Sequence, residues 1–178
     1  MTNNSKKHDE KIIVTSDLRS FFFNELKAVN DVAINPVAEE IIFYSSSVLD
    51  AFTHSNRYFD IEEGRFKNKV LGTKLMEAQG LGNKAKVRAY QDVGETSLVL
   101  CGMFRESLNK KIIDASYYET LGVNAFESLN SMQPSRFDVN NFYLSIAENF
   151  KYLTELFSAI SEFILNREQV VPIKIKKS

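Results

Sequence analysis

A chain of 178 residues, 44% of them hydrophobic, is long enough for one globular domain with a real core. Its net charge of −1 excludes a globally basic nucleic-acid binder but leaves local patches open. A single cysteine, Cys101, excludes an internal disulfide and a thiolate zinc site.

No window reaches the roughly 18 uninterrupted apolar residues of a membrane span. Residues 1–11, MTNNSKKHDEK, are polar and do not read as a secretory leader. A soluble cytoplasmic protein without membrane contact is therefore expected.

Residues 1–14 read as a disordered lead-in. Thr15 or Ser16 can cap a short helix in which Leu18, Phe21, Phe22, Glu25 and Leu26 follow helical spacing. The triplet Phe21–Phe22–Phe23 is wider than one helix face needs. Part of it is expected to dock into a groove of the main body, and the surplus marks a candidate protein–protein surface.

Asn35–Pro36 reads as the next helix start, with asparagine at the cap, proline at the first helical position, and Glu39 and Glu40 in the favourable first turn. Ile41, Ile42, Tyr44, Ser45, Val48, Leu49 and Phe52 carry that helix to about His54. Residues 55–65 read as a connection with a helical turn. A weaker helix over 66–79 places Val70, Leu71, Leu75 and Met76 inward and ends at Gly80–Leu81–Gly82.

Residues 84–91 begin a helix that runs into, or kinks at, Asp92–Gly94. From Leu98 to Phe104 the chain is apolar or small on every side, the pattern of a helix buried all round. Gly94, Gly102 and Gly122 sit inside helical patterns, where each costs about 1 kcal/mol against alanine. Close approach of a neighbouring backbone is a recurring reason to accept that cost. Ser116 with Glu119 forms a capping box for the following helix, and Asp114 is an alternative cap.

Gln133–Pro134–Ser135 breaks the chain, and Asp138 is read as the cap of the last helix. Val139, Tyr143, Ile146, Phe150, Leu153, Phe157, Ile160 and Ile164 form a heptad seam that Leu156 and Phe163 widen. The seam can pack within the chain or form a two-fold dimer. Residues 169–178 read as a short, extended basic tail. The expectation is an all-α, single-domain bundle of five to seven helices over 15–168.

Catalytic signatures are missing. The histidines, His8 and His54, have no cysteine or carboxylate at ligand spacing, so neither metal nor cofactor is expected. Cys101 lies in the most apolar stretch, where a thiol behaves as a small hydrophobe. Asp92, Glu95, Asp114 and Glu119, with Arg88 and Arg105, are the remaining catalytic option. Caps, first-turn acids and ion pairs already explain them.

Arg65, Lys67, Lys69, Lys74, Lys84, Lys86 and Arg88 face a single acid, Glu77. They form a candidate surface for an anion, a nucleotide or nucleic acid, with a solvated helix face as the plainer reading. Nucleic acid is disfavoured because no exposed aromatics interleave with these cations.

The run Val87–Arg88–Ala89–Tyr90–Gln91–Asp92–Val93–Gly94–Glu95–Thr96–Ser97–Leu98, then Cys101–Gly102–Met103–Phe104–Arg105–Glu106–Ser107–Leu108, is followed by Asp114, Tyr117–Tyr118, Gly122 and Ala125–Phe126. It resembles a family of small bacterial all-helical proteins of pattern GDTxLxxSGFFxxSL…DxxYYxxxGxxAY, to which no catalysis is assigned. The resemblance is specific over 87–126 and extends in layout over 35–165. Glu95 stands where aspartate is usual, Cys101 for serine and Met103 for phenylalanine.

A fainter similarity is to the RomX cell-polarity proteins, which work with a response regulator on a Ras-like GTPase. Together these imply a non-enzymatic adaptor or exchange-factor subunit with such protein partners, and a homo-oligomer remains open. Gly94, Glu95, Gly102, Asp114, Tyr117, Tyr118 and Gly122 read equally well as packing and capping residues.

Overall fold

Pro36 and Pro134 fall where the chain turns, and between those breaks it is mostly helical. The computed structural model describes the backbone of residues 6–54, 60–62, 65–67, 71–110 and 114–169, with side chains over 18–54, 71–110 and 114–163. Among the described residues the helices are α1 (Lys6–Asp31), α2 (Glu39–His54), α3 (Leu71–Ala78), α4 (Asn83–Met103), α5 (Arg105–Leu108), α6 (Ala115–Met132), α7 (Phe142–Glu148) and α8 (Phe150–Gln169).

Two short antiparallel hairpins interrupt them, β1 (Asp60–Glu62) with β2 (Arg65–Lys67), and β3 (Ser135–Arg136) with β4 (Val139–Asn140). The protein is an all-α bundle. The eight segments include two broken pairs, α4/α5 at Phe104 and α7/α8 at Asn149; joined, they leave six helical bodies.

Helix α4 is the middle of the bundle, packed along α6 and α8 and touched by α2 and α3. Three glycines set those distances. A Cβ on Gly94 would come within 2.9 Å of the Phe126 ring, one on Gly102 would overlap Phe157, and one on Gly122 would overlap the Phe150 ring. The seam expected of a single last helix is split at Asn149 between α7 and α8, and both turn it inward. Tyr143, Ile146, Phe150, Leu153, Phe157 and Ile160 are all buried within the chain, while the side chain of Ile164 lies outside those described. That face is consumed by the bundle, so a dimer through it is not what the seam encodes.

On the other side α1 pairs with α2, and a buried asparagine ties them to α8. Asn30 donates from Nδ2 to Val37 O (3.0 Å) and accepts from Val37 N (3.0 Å) and from the Tyr152 hydroxyl (3.1 Å).

Several boundaries differ from the sequence reading for local reasons. Helix α1 starts at Lys6, because 6–31 contain no proline or glycine. Thr15 and Ser16 fall inside it, and only 1–5 of the expected lead-in lie outside the described residues. Helix α2 starts at Glu39 rather than beside Pro36, since the Asn30 clasp on Val37 holds that segment out of the helix. Ala38 O instead accepts from the amides of Ile41 and Ile42.

The connection after α2 holds the β1–β2 hairpin. Met76, expected inward, is 74% exposed because the eight-residue α3 turns Leu71, Leu75 and Ala78 to the core. Asp138 does not cap a helix, and Val139 is in β4, not the seam. Val70 and the expected tail beyond Gln169 lie outside the described residues.

If the glycines are spacers, Gly102→Ala and Gly122→Ala should each lower unfolding stability by about 1–3 kcal/mol in urea titrations. Gly80→Ala, whose Cβ would sit at an ordinary 3.7 Å from its neighbour, should stay within about 0.5 kcal/mol of the parent. Equal effects at all three would refute the spacer role.

Candidate interaction surface

Glu95 is the one carboxylate that α4 turns toward α2. Its Oε1 accepts a 2.7 Å hydrogen bond from the Tyr44 hydroxyl and a 2.8 Å bond from Gln91 Nε2. Burial raises its pKa above the ordinary glutamate value. The bonds from Tyr44 and Gln91 and the charge of Arg136 oppose the rise, and Asp92 adds to it. Burial also pushes the Tyr44 phenol well up, with the neighbouring Glu95 charge next in importance. Tyr44 is thus held as a neutral donor.

Arg136 connects this buried pair to the surface. It lies on β3, with its guanidinium 5.1 Å from the Tyr44 ring centroid and 5.8 Å from that of Tyr143, and it donates to the Tyr143 hydroxyl. Toward solvent the same guanidinium lies 5.0 Å from the Phe137 ring.

Phe137 and Asp138 form the two-residue loop between the paired Arg136 and Val139. Both are left-handed, at φ 51° and 59°, the signature of a type I′ turn. That turn favours Asn-Gly. A phenylalanine there is a steric outlier, costing roughly 1–2 kcal/mol.

The strained residue does not turn inward: Phe137 is 42% exposed. Its ring meets Phe43 edge-on at 5.9 Å and 90°, and Phe43 (41% exposed) meets Phe23 at 6.3 Å and 72°. The row is anchored inward by Phe142, 5.4 Å from Phe137. Arg19 lies over Phe43 at 4.5 Å and is held by a 2.7 Å bond to Ser47 Oγ. On one flank of this ridge Phe23, Phe43 and Phe137 wall an open pocket of ≈ 390 Å³, lined also, among the described residues, by Glu39 and Glu40. On the other flank Arg19, Ser20, Asn24 and Ser46 complete a second groove with Phe23 and Phe43.

The sequence-flagged residues distribute unevenly around this surface. Of the phenylalanine triplet, Phe22 is core, Phe21 is partly buried, and Phe23 enters the ridge. Lys84 and Arg88 share a separate open groove of ≈ 470 Å³ with Asn83, Val87, Met132 and Gln133; Lys86 is half-buried and does not line it. Lys74 is spent in an ion pair with Asp92. Arg65 and Lys67 lie on β2, described only as backbone, and Lys69 lies outside the described residues.

The four carboxylates do not converge. Asp92 pairs with Lys74, Glu119 with Arg105, and Glu95 with Tyr44 and Gln91. Asp114, not Ser116, caps α6: it accepts from the Ser116 and Tyr117 amides, and bonding from the Ser116 hydroxyl leads the causes that lower its pKa. Tyr118 is buried, whereas Tyr117 is 41% exposed.

His54 Nδ1 stays on its own helix end, 2.8 Å from Asp50 O. Among the described residues no group of three or more His, Cys, Asp or Glu is placed to hold a metal ion. No helix there is long and apolar enough to cross a membrane.

Phe43, Arg136 and Phe137 were missed by sequence reasoning. Phe43 was legible as a large ring off the apolar stripe of α2. Phe137 was not, because its exposure depends on a hairpin two residues deep. The chain matches no protein-family model, no curated protein and no solved structure.

Two measurements probe the chemistry assigned to this region. Burial pushes the Cys101 thiol up to about 12, and its Sγ points at Ala115 O (3.5 Å). The native protein should therefore resist thiol reagents near neutral pH and react fully once unfolded; rapid native labelling would contradict that burial.

Because the folded pKa of Glu95 is raised, folding binds a proton there. The Glu95 contribution is fully present below the ordinary glutamate value and is lost as pH rises through the higher folded one. Glu95→Gln should therefore gain stability relative to the parent as pH rises from about 4 to about 8 in urea titrations; a pH-independent difference would contradict the assignment.

Proposed function

We propose that this protein is a non-enzymatic interaction module that docks a protein partner on the Phe23–Phe43–Phe137 ridge. The observation that carries this reading is Phe137: a bulky ring kept in a backbone conformation that disfavours it, on the surface rather than in the core. Strain of this kind is retained where function requires the side chain. Aromatic rings that stay partly exposed on a rigid helical platform are the usual anchors of protein interfaces. The dispersal of the carboxylates and the raised thiol of Cys101 also favour binding over catalysis.

The family resemblance suggests an adaptor whose partner is a response regulator or a small Ras-like GTPase. Cytoplasmic placement belongs to the same reading. Affinity capture with the tagged chain tests it, with Phe137→Gly in parallel. Relief of the turn strain should leave stability within about 1 kcal/mol of the parent or raise it, while a stoichiometric partner is lost. If stability falls by more than about 2 kcal/mol with partner binding intact, Phe137 is a structural peg and the reading fails.

A second reading rests on the groove shared by Lys84 and Arg88, which no carboxylate lines among the described residues. It would suit an anionic group. A salt-sensitive affinity for a nucleotide, abolished by Lys84→Ala/Arg88→Ala, would support it; no affinity at low salt would end it.

A further inference from the structure

The ridge carries information about what it accepts. This step rests on its reading as a docking surface and concerns the pocket on its acidic flank. Three aromatic side chains wall that pocket, with successive planes inclined at 72° and 90°. Edge-on packing covers part of each ring, and Arg19 and Arg136 already lie over Phe43 and Phe137. These two residues still stay 41% and 42% exposed, and bare ring surface can receive a further cation.

The two remaining lining residues, among those described, are both carboxylates. Glu39 shares its charge with Lys27 at 3.1 Å, whereas among the described residues no cation pairs with Glu40. The protein's own cations show which group suits these rings: the guanidinium of Arg19 lies over Phe43 at 4.5 Å and that of Arg136 over Phe137 at 5.0 Å. A guanidinium is planar and weakly hydrated. It can stack on a ring while donating in parallel to a carboxylate, which a compact ammonium cannot do.

We propose that the Phe23–Phe43–Phe137 pocket receives an arginine side chain of the partner polypeptide, its guanidinium stacked on the rings and hydrogen-bonded to Glu40. The partner's docking segment is then basic at the point of contact and apolar beside it, where Phe23 and Phe43 line both grooves.

The test uses the full chain and follows the aromatic resonances of Phe43 and Phe137 during titration with N-acetyl-arginine methylamide, alongside its neutral citrulline counterpart. The expected result is a saturable shift with the arginine probe and an affinity at least about fivefold weaker for citrulline. Glu40→Gln should weaken the arginine probe about threefold or more, and Phe137→Gly should abolish its binding, both with unchanged folding by circular dichroism. Lys84→Ala should leave it unaltered.

An absent or non-saturable shift, or equal binding of the two probes, overturns the proposal. A partner captured in a Phe137-dependent way without arginine binding would sink this inference and leave the docking surface standing. Arginine binding with no Phe137-dependent partner would sink the docking reading and with it the assignment of the arginine to a partner polypeptide, leaving only a guanidinium-binding pocket.

Discussion

Close contact of α4 with α6 and α8 is the constraint on which the rest of the structure depends. Gly94 lies under the Phe126 ring, Gly102 against Phe157, and Gly122 against Phe150 and Ser97. Each glycine weakens its own helix, so the arrangement holds only because neighbouring rings fill the space a methyl would have taken. The same logic reaches small polar residues elsewhere in α2 and α4. The hydroxyls of Ser45, Thr96 and Ser97 are buried without a hydrogen-bond partner, a cost of order 1 kcal/mol each that their small size offsets by permitting close packing.

That spacing decides where polar chemistry can be buried. With α4 held against α6 and α8, its Glu95 side chain meets Tyr44 of α2, and the hairpin after α6 lays Arg136 across the same aromatic cluster. A buried carboxylate without partners would be strongly unfavourable. Here two hydrogen bonds and a nearby guanidinium compensate it incompletely, which is why its pKa remains raised. The cluster therefore links the core to the hairpin through electrostatics as well as packing.

The hairpin transmits this to the surface. Phe142 and Tyr143, at the start of α7, are buried, and Asn130 of α6 caps that helix by accepting from the Leu144 amide at 3.2 Å. With both ends of the hairpin fixed, the two-residue loop between them is left-handed at both positions. Phe137 is held there against its own preference. The ridge it forms with Phe43 and Phe23 is thus tied to the core through Phe142, and pre-ordering of this kind would lower the entropy lost in the proposed docking.

Much of the fold was legible from local pattern. Ile41, Ile42, Tyr44, Val48 and Leu49 lie on the buried face that helical spacing assigned, and the seam from Tyr143 to Ile160 is interior. The glycines declared close helix contact because few other reasons justify them in mid-helix. By itself the sequence determined the helical class, most of the buried stripes and the turns at Pro36 and Pro134, since these follow from nearest-neighbour sterics and periodicity; it gave no sign of the breaks at Phe104 and Asn149. Only the tertiary structure decided which acids are tied to which cations, that Asp138 turns a hairpin instead of capping a helix, and that Phe43 and Phe137 meet at the surface. Those outcomes depend on contacts between residues far apart in the chain, such as Tyr44 with Glu95 and Phe43 with Phe137, and no local spacing encodes such a meeting.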